Sequence, residues 1–277
     1  MDKRRIGAHL SAAEGFPALF ARAKEIGANA LQLFSTSPRI WKPSELKEED
    51  ARTFRALAEE CNIKPIYFHA SYLINLASEE MTGGRSKTAL INELHKAALL
   101  GVRGSIVHTG SFKGGKEDYW VVVGRIQEIL DSTPEETFLI LENSGNRKIG
   151  VKLEELGEII REVGSPRVRV CLDTCHLHAA GYDIRTKEKL DEFLGYFDKT
   201  VGKDRLEVWH INDSRDPFGS FRDRHDNIGE GMVGNDVFKL LLNHPRMKAV
   251  PFIAETPGFD GNGPDKKNLD LLKSFIV

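Results

Sequence analysis

The 277-residue sequence predicts a single-domain α/β fold of the (β/α)8 TIM-barrel type, one domain over residues 1–277. Three observations predict it. Eight short, β-rich apolar runs recur along the whole chain; the segments between them carry helical periodicity; and strand starts fall roughly 25 to 45 residues apart, with no Pro/Gly/Ser-rich linker between them. Runs that are apolar on both faces suit parallel strands sheathed by helices, and a doubly wound open sheet is the competing arrangement.

The first run is RIGAHL (5–10), and behind it Phe16, Leu19, Phe20 and Ala23 fall at i, i+3, i+4 and i+7, one face of a helix. The second is ALQLF (30–34), followed by Phe54, Leu57, Ala58 and Cys61 at the same spacing, with Ser44 before Glu45 as the expected N-cap. KPIYFHA (64–70) is third. Its helix, SKTALINELHKAALLG, carries a stripe of Leu90, Ile91, Leu94 and Ala98 that leaves His95 on the surface. SIVHTG (105–110), TFLILEN (137–143), VRVCLDT (168–174), LEVWHIND (206–213) and VPFIAET (250–256) complete the eight.

Composition narrows the class. With 40% apolar and 29% charged residues the chain is neither disordered nor collagen-like, and no apolar stretch is long enough to span a membrane. Thirty-nine Lys and Arg against 41 Asp and Glu give a formal charge of −2, so no whole-protein positive field advertises a nucleic-acid partner. Cys61, Cys171 and Cys175 are too few for a disulfide framework, which suggests a reducing compartment. The start, MDKRRIGAHLSAAEG, has no apolar stretch of signal-peptide length, so the expected location is the cytoplasm.

Seven of the eight runs end in a side chain that binds metals: His9, His69, His108, Glu142, Asp173, His210 and Glu255. Parallel strands of a barrel finish on one face, so these residues would converge on a single mouth, a metal site at the C-terminal ends of the strands. Two further clusters read as loops. In DTCHLHAAGYD, Asp173 and His176 are placed to serve neighbouring ions; in GSFRDRHDNIGEG, Asp223 and His225 at i and i+2 share one side of an extended segment and suit a single ion. A set of His, Asp and Glu without thiolate suits zinc or manganese in a hydrolytic or isomerising site. Cys171 and Cys175, alternating with Asp173 along a strand end, read as small core hydrophobes, and His178 and His244 have no evident partner. Basic residues follow the strands: Arg39 and Lys42, Lys113 and Lys116, Arg147 and Lys148, Arg215, Arg222 and Arg224. Three divalent ions, six positive charges against −2, would bring the formal charge to +4 and make that face attractive to a polyanion.

At DTCHLHAAGYD, HINDS, DRHDNIGEG and ETPG the chain resembles the endonuclease IV family of abasic-site DNA repair enzymes, and the resemblance runs from GAHLSAAEG to AETPG. It implies a zinc-dependent barrel that hydrolyses the phosphodiester 5′ to an abasic site, leaving a 3′-hydroxyl and a 5′-deoxyribose phosphate, with activity on blocked 3′ ends. It assigns His69 and His108 to a first zinc and Glu142 to a bridge toward a second, which also takes Asp173, His210 and Glu255. A third zinc falls to His176, Asp223 and His225, with manganese an alternative in one site; His9 stays outside the set. Glu142 is the implied catalytic carboxylate. Arg39, Tyr72 and Leu73 match side chains that contact DNA at the lesion, since an abasic nucleotide must leave the stack to reach a recessed centre. The implied partner is double-stranded DNA, bound by a monomer in the cytoplasm or nucleoid. The chain departs from the family's usual pattern in HTGS for HPGS, HASYL for HAPYL, and ENSGNRKIG for ENTAGQG. The rival readings are a metal-dependent sugar isomerase or epimerase, for which Asp223 and His225 would be dispensable, and a non-catalytic barrel that binds nucleic acid or metal.

Overall fold

Apolar strand and amphipathic helix alternate along the chain, and in the computed structural model, described over residues 4–41, 45–112 and 118–277, they close into a barrel. The strands are β1 (Ile6–His9), β2 (Leu31–Phe34), β3 (Ile66–His69), β4 (Gly104–Val107), β5 (Phe138–Glu142), β6 (Val168–Asp173), β7 (Leu206–His210), a short pair β8 (Asp213–Ser214) and β9 (His225–Asp226), and β10 (Phe252–Ala254). Among the described residues eight of them form the barrel, all parallel, in the order β1-β10-β7-β6-β5-β4-β3-β2. Each lies within or beside one of the eight expected runs. The open-sheet alternative is thereby excluded, because β1 pairs with both β2 and β10.

The helices are α1 (Phe16–Glu25), α2 (Glu48–Glu60), α3 (Met81–Leu100), α4 (Tyr119–Asp131), α5 (Leu153–Val163), α6 (Thr174–Ala180), α7 (Lys187–Thr200), α8 (Asn235–Asn243) and α9 (Lys266–Ser274). The predicted stripes face inward: Leu19, Phe20, Ala23 and Phe54 are buried, and the rings of Phe16 and Phe20 meet Phe54 at 4.9 and 5.1 Å. Each such apolar side chain contributes about 1.5–3 kcal/mol relative to exposure. The predicted cap Ser44 lies outside the described residues, and α2 begins later than expected, after an extended Lys47. Glu48, Glu49 and Asp50 set negative charge at its N-terminus, favourable to the helix dipole.

Strand period two divides each run between two environments. Ala30, Tyr67, Ile106, Ile140, Cys171, Val208 and Ile253 fill the barrel interior, while their neighbours, such as Leu31, Phe68, Val107, Leu141, Leu172, Trp209 and Phe252, pack under the helices. Gly7 replaces an interior side chain on β1, where a Cβ would come within 2.0 Å of the Ala30 carbonyl oxygen. Two residues beyond these interior positions, on the same inward face, stand His9, Gln32, His69, His108, Glu142, Asp173, His210 and Glu255.

Two expectations are corrected. The DTCHLHAAGYD segment is not a loop: its Thr174–Ala180 stretch forms α6, with Asp173 as N-cap accepting from the His176 N–H at 3.0 Å. The strand therefore ends at Asp173 and Cys175 lies in the helix, although both thiols are buried as core residues. Of the pair Asp223 and His225, His225 lies in the β8/β9 ribbon, whereas Asp223 precedes the strand.

Candidate metal centre

His69, His108, Glu142, Asp173, His210 and Glu255 from the inward ring of strand ends meet His176 of α6 and Asp223 and His225 at the β8/β9 ribbon, and the ligand atoms of these nine fall into three groups, each within 4.8 Å. His69, His108 and Glu142 form one; Glu142, Asp173, His210 and Glu255 a second; His176, Asp223 and His225 a third. Glu142 joins the first two through its separate oxygens. Its Oε2 lies 3.2 Å from His69 Nε2 and 3.3 Å from His108 Nε2, whereas Oε1 lies 2.9 Å from His210 Nδ1. Asp173 links the second to the third: its Oδ2 is 3.8 Å from His210 Nδ1 and 3.6 Å from His225 Nε2. Asp223 Oδ1 then lies 3.1 Å from His176 Nε2 and 3.4 Å from His225 Nε2.

Hydrogen bonds behind the ring fix which nitrogen of each imidazole faces the centre. His69 Nδ1–H donates to the Ala70 carbonyl at 2.8 Å and His176 Nδ1–H to the Asn143 carbonyl at 3.0 Å, so both turn Nε2 inward. His210 is reversed: its Nε2–H donates to Gln32 Oε1 at 2.7 Å, which leaves Nδ1 for the centre. Gln32 Nε2 in turn donates to Glu255 Oε1 at 2.5 Å and His9 Nδ1 at 2.8 Å. Asn212 Nδ2 donates to Asp173 Oδ2 at 2.6 Å, Asn212 Oδ1 accepts from the Glu255 N–H, and Asn143 Oδ1 accepts from the Asp173 N–H, both at 2.7 Å. Gln32, Asn143 and Asn212 are not singled out by the sequence. Gln32 has a legible signal, since it stands two residues after interior Ala30, the position that carries a metal-binding side chain on the other strands; the two asparagines follow Glu142 directly and His210 by two.

Charge in the centre is tightly interlocked. Burial works to raise the Glu142 carboxyl, but His108, His210 and His69 override it and hold it well below the usual carboxylate range. Burial lowers His108 to about 4, with His176 and His69 adding and Glu142 opposing. Burial likewise opposes protonation of His176, but Asp173 and Asp223 outweigh it and raise that imidazole well above its ordinary value. The thiols beside the groups stay neutral: burial pushes Cys171 up to about 12 and Cys175 higher still.

The donor set fits divalent cations. Four carboxylates and five imidazoles make up the three groups. His69, His108, His176, Asp223, His225 and Glu255 line a recessed mouth of about 390 Å³ while Glu142, Asp173 and His210 are fully buried, and the buried His225 Nε2 has no hydrogen-bond partner among the described residues although it faces Asp173 and Asp223. A cation between them would satisfy that nitrogen and offset the clustered charge.

The expected DNA contacts flank this mouth. Tyr72 is 68% exposed, with its ring 5.4 Å from Phe34 and 6.3 Å from His69. Leu73, beside it, is half-buried, and Arg39 is exposed on the loop after β2, where it opposes the rise that burial gives the Tyr72 phenol. Of the basic loop residues, Arg147, Lys148, Arg215, Arg222 and Arg224 are exposed, while Lys42, Lys113 and Lys116 lie outside the described residues. The unassigned histidines have structural partners. His178 Nε2 meets the Asp216 carbonyl at 3.1 Å, His244 Nε2 meets Asp191 Oδ1 at 2.9 Å, and exposed His95 bonds the Ser132 carbonyl at 2.9 Å. His9 lies at the edge of the mouth, with Nδ1 3.3 Å from Glu255 Oε1. Among the described residues no helix is long and apolar enough to cross a membrane.

Residues 20–275 match the family described as xylose isomerase-like TIM barrel. A protein of Thermosipho africanus described as probable endonuclease 4 is 39% identical over 99% of this chain and 99% of its own length. The crystal structure of endonuclease IV from Thermus thermophilus superposes with a TM-score of 0.86 at 35% identity, covering 98% of each chain. A 3-keto-D-glucoside 4-epimerase from E. coli shares the fold, with a TM-score of 0.70 at 15% identity, 98% of this chain and all of that one.

Proposed function

Because the chain belongs to the endonuclease IV family and is a metal-dependent nuclease of the hydrolase class, we propose that it is an abasic-site endonuclease of base-excision repair. It cuts the phosphodiester 5′ to an apurinic or apyrimidinic site, leaving a 3′-hydroxyl and a 5′-deoxyribose phosphate, and clears blocked 3′ ends. The observation that carries this reading is the convergence of nine ligating side chains in three groups joined through Glu142 and Asp173. They would hold three zinc ions per chain, with manganese an alternative in one site: His69, His108 and Glu142; Glu142, Asp173, His210 and Glu255; His176, Asp223 and His225. Zinc, when bound, supplies Lewis acidity toward phosphate oxygens and acidifies water from a pKa of 15.7 to about 7.

The chain's own groups do the positioning. Glu142, held ionised by its neighbours, is the catalytic carboxylate that orients the attacking water for in-line attack. His69, His176 and His210 present fixed nitrogens because the opposite ring N–H is bonded to Ala70, Asn143 and Gln32. Tyr72, Leu73 and Arg39 enter the gap at the lesion, supported by the exposure of the Tyr72 ring beside the mouth. The protein works as one barrel domain, as a monomer in the cytoplasm and on the nucleoid, without a membrane partner; its substrate is double-stranded DNA with abasic sites or blocked 3′ ends.

The test is a duplex oligonucleotide with one abasic analogue beside an intact control. Incision only 5′ to the lesion with a 3′-hydroxyl product is expected, lowered about 100-fold or more by Glu142→Gln. No incision after zinc or manganese is supplied, with turnover of a ketose instead, would favour a sugar-directed barrel and overturn the reading.

A further inference from the structure

The loop that joins β5 to α5 is the segment ENSGNRKIG, and its backbone is pinned on several sides. The Ser144 N–H donates to the Gly150 carbonyl at 3.0 Å, the Ile149 N–H to the Gly110 carbonyl at 3.0 Å, and the Gly150 N–H to Glu155 Oε2 at 2.9 Å. Gly145 lies flat on α6, where a Cβ would come 2.9 Å from the His176 Cα. What this fixed loop leaves outside is Arg147 and Lys148, both exposed. Among the described residues neither forms an ion pair, unlike Arg185, Arg222 and Arg224, which are taken up by Asp183 and Asp216.

The two cations have different neighbours. Lys148 lines a small cleft of about 50 Å³ with His69, Tyr72 and His108. The Arg147 guanidinium lies 5.6 Å from the centroid of the ring of Phe221, which stands two residues before Asp223. Phe221 is 41% exposed and has a φ of 55°, a left-handed conformation that costs an ordinary residue roughly 1–2 kcal/mol. It is kept there by its N–H, which donates to the Ala179 carbonyl at the end of α6 at 2.9 Å. An exposed aromatic ring capped by an unpaired guanidinium, beside an unpaired ammonium, has the chemistry of a stacking platform with a phosphate contact.

We propose that this loop is a two-pronged clamp on the DNA strand crossing the mouth: Lys148 meets a phosphate oxygen on the Tyr72 side, and Phe221 with Arg147 stacks a base on the Asp223 side. The clamp rests on the DNA-incision reading given above. It accounts for two cations left without carboxylate partners on a face where other arginines have them.

The test measures binding of the metal-loaded protein to a duplex bearing an uncleavable abasic analogue over a range of salt, alongside kcat and KM on a cleavable one. Lys148→Ala is expected to reduce the slope of log K against log salt by about 1. Phe221→Asn, which removes the ring with a residue that tolerates positive φ, is expected to weaken binding about 10-fold, to raise KM more than it lowers kcat and to keep the salt slope; Phe221→Trp restores affinity. Wild-type affinity and slope in both loss variants, or a loss in Phe221→Asn that Trp does not recover, would overturn the clamp while the wild type still cuts. A wild type that neither prefers the abasic duplex nor cuts it would overturn the reading beneath it as well.

Discussion

Gln32 is fully buried at the foot of the centre, and the two ends of its amide perform different tasks. The oxygen accepts from His210 Nε2 and so selects the tautomer that leaves Nδ1 inward; the nitrogen steadies Glu255 and His9. Gln32→Leu keeps the volume and removes both contacts, so metal held by the His210 and Glu255 group should weaken by about 10- to 100-fold, read by competition with a calibrated chelator. Unchanged affinity would show that packing alone orients His210. This residue also marks where sequence reading stops at the atomic scale. Histidines and carboxylates at strand ends announce metal chemistry, whereas an amide in the same register has no such signature, and the contacts of Gln32 reach residues 178 and 223 positions away.

At the scale of elements, the third group takes His176 from α6 but depends for His225 on the β8/β9 ribbon rather than on a barrel strand. Asp213 accepts from the N–H groups of Gly229 at 3.0 Å, Val233 at 2.8 Å and Ser214 at 2.9 Å, and so ties the ribbon to the turn that follows it. Gly231 lets that turn close, since a Cβ there would come within 2.5 Å of both Asp213 Oδ1 and the Ser214 carbonyl oxygen. Asp213→Ala would orphan two buried donors, the Ser214 and Val233 N–H groups, at roughly 1–3 kcal/mol each, release the part-buried Gly229 N–H and free His225 from its register opposite Ser214. The expected protein keeps its barrel by circular dichroism, binds one metal ion more weakly and incises more slowly; full metal content at wild-type affinity would count against this dependence. The ribbon was legible only as an extended stretch around Asp223 and His225. The helix α6 was hidden as well, because seven residues starting directly from a strand give too little periodicity to separate helix from loop. The eight strands were legible as short apolar runs, and seven of them end in a metal-binding side chain, a signal that needs no partner to be seen.

For the whole molecule, one buried charge ties stability to pH. Glu93 of α3 is 8% exposed and accepts from the hydroxyls of Ser35, just after β2, and Ser105 of β4, so it fastens that helix to two strands. Burial raises its carboxyl above the ordinary value, with the two serines opposing. The folded chain then holds the proton more tightly than the unfolded one, so this contribution to stability is full below the unfolded value and is lost as pH rises through the folded one. Melting curves from about pH 4 to about pH 8 should move in favour of Glu93→Gln over the wild type as pH rises; a constant difference would refute the linkage. The barrel's seam carries a different kind of consequence. The first strand pairs with the last, Ile6 against Phe252 through Ala8 against Ala254, and Glu255 follows directly. On the ribosome, a nascent polypeptide that has not reached these residues has no seam to close and lacks one carboxylate of the centre, so a DNA-cutting site of this design is completed only once β10 and Glu255 have been synthesised and docked against β1.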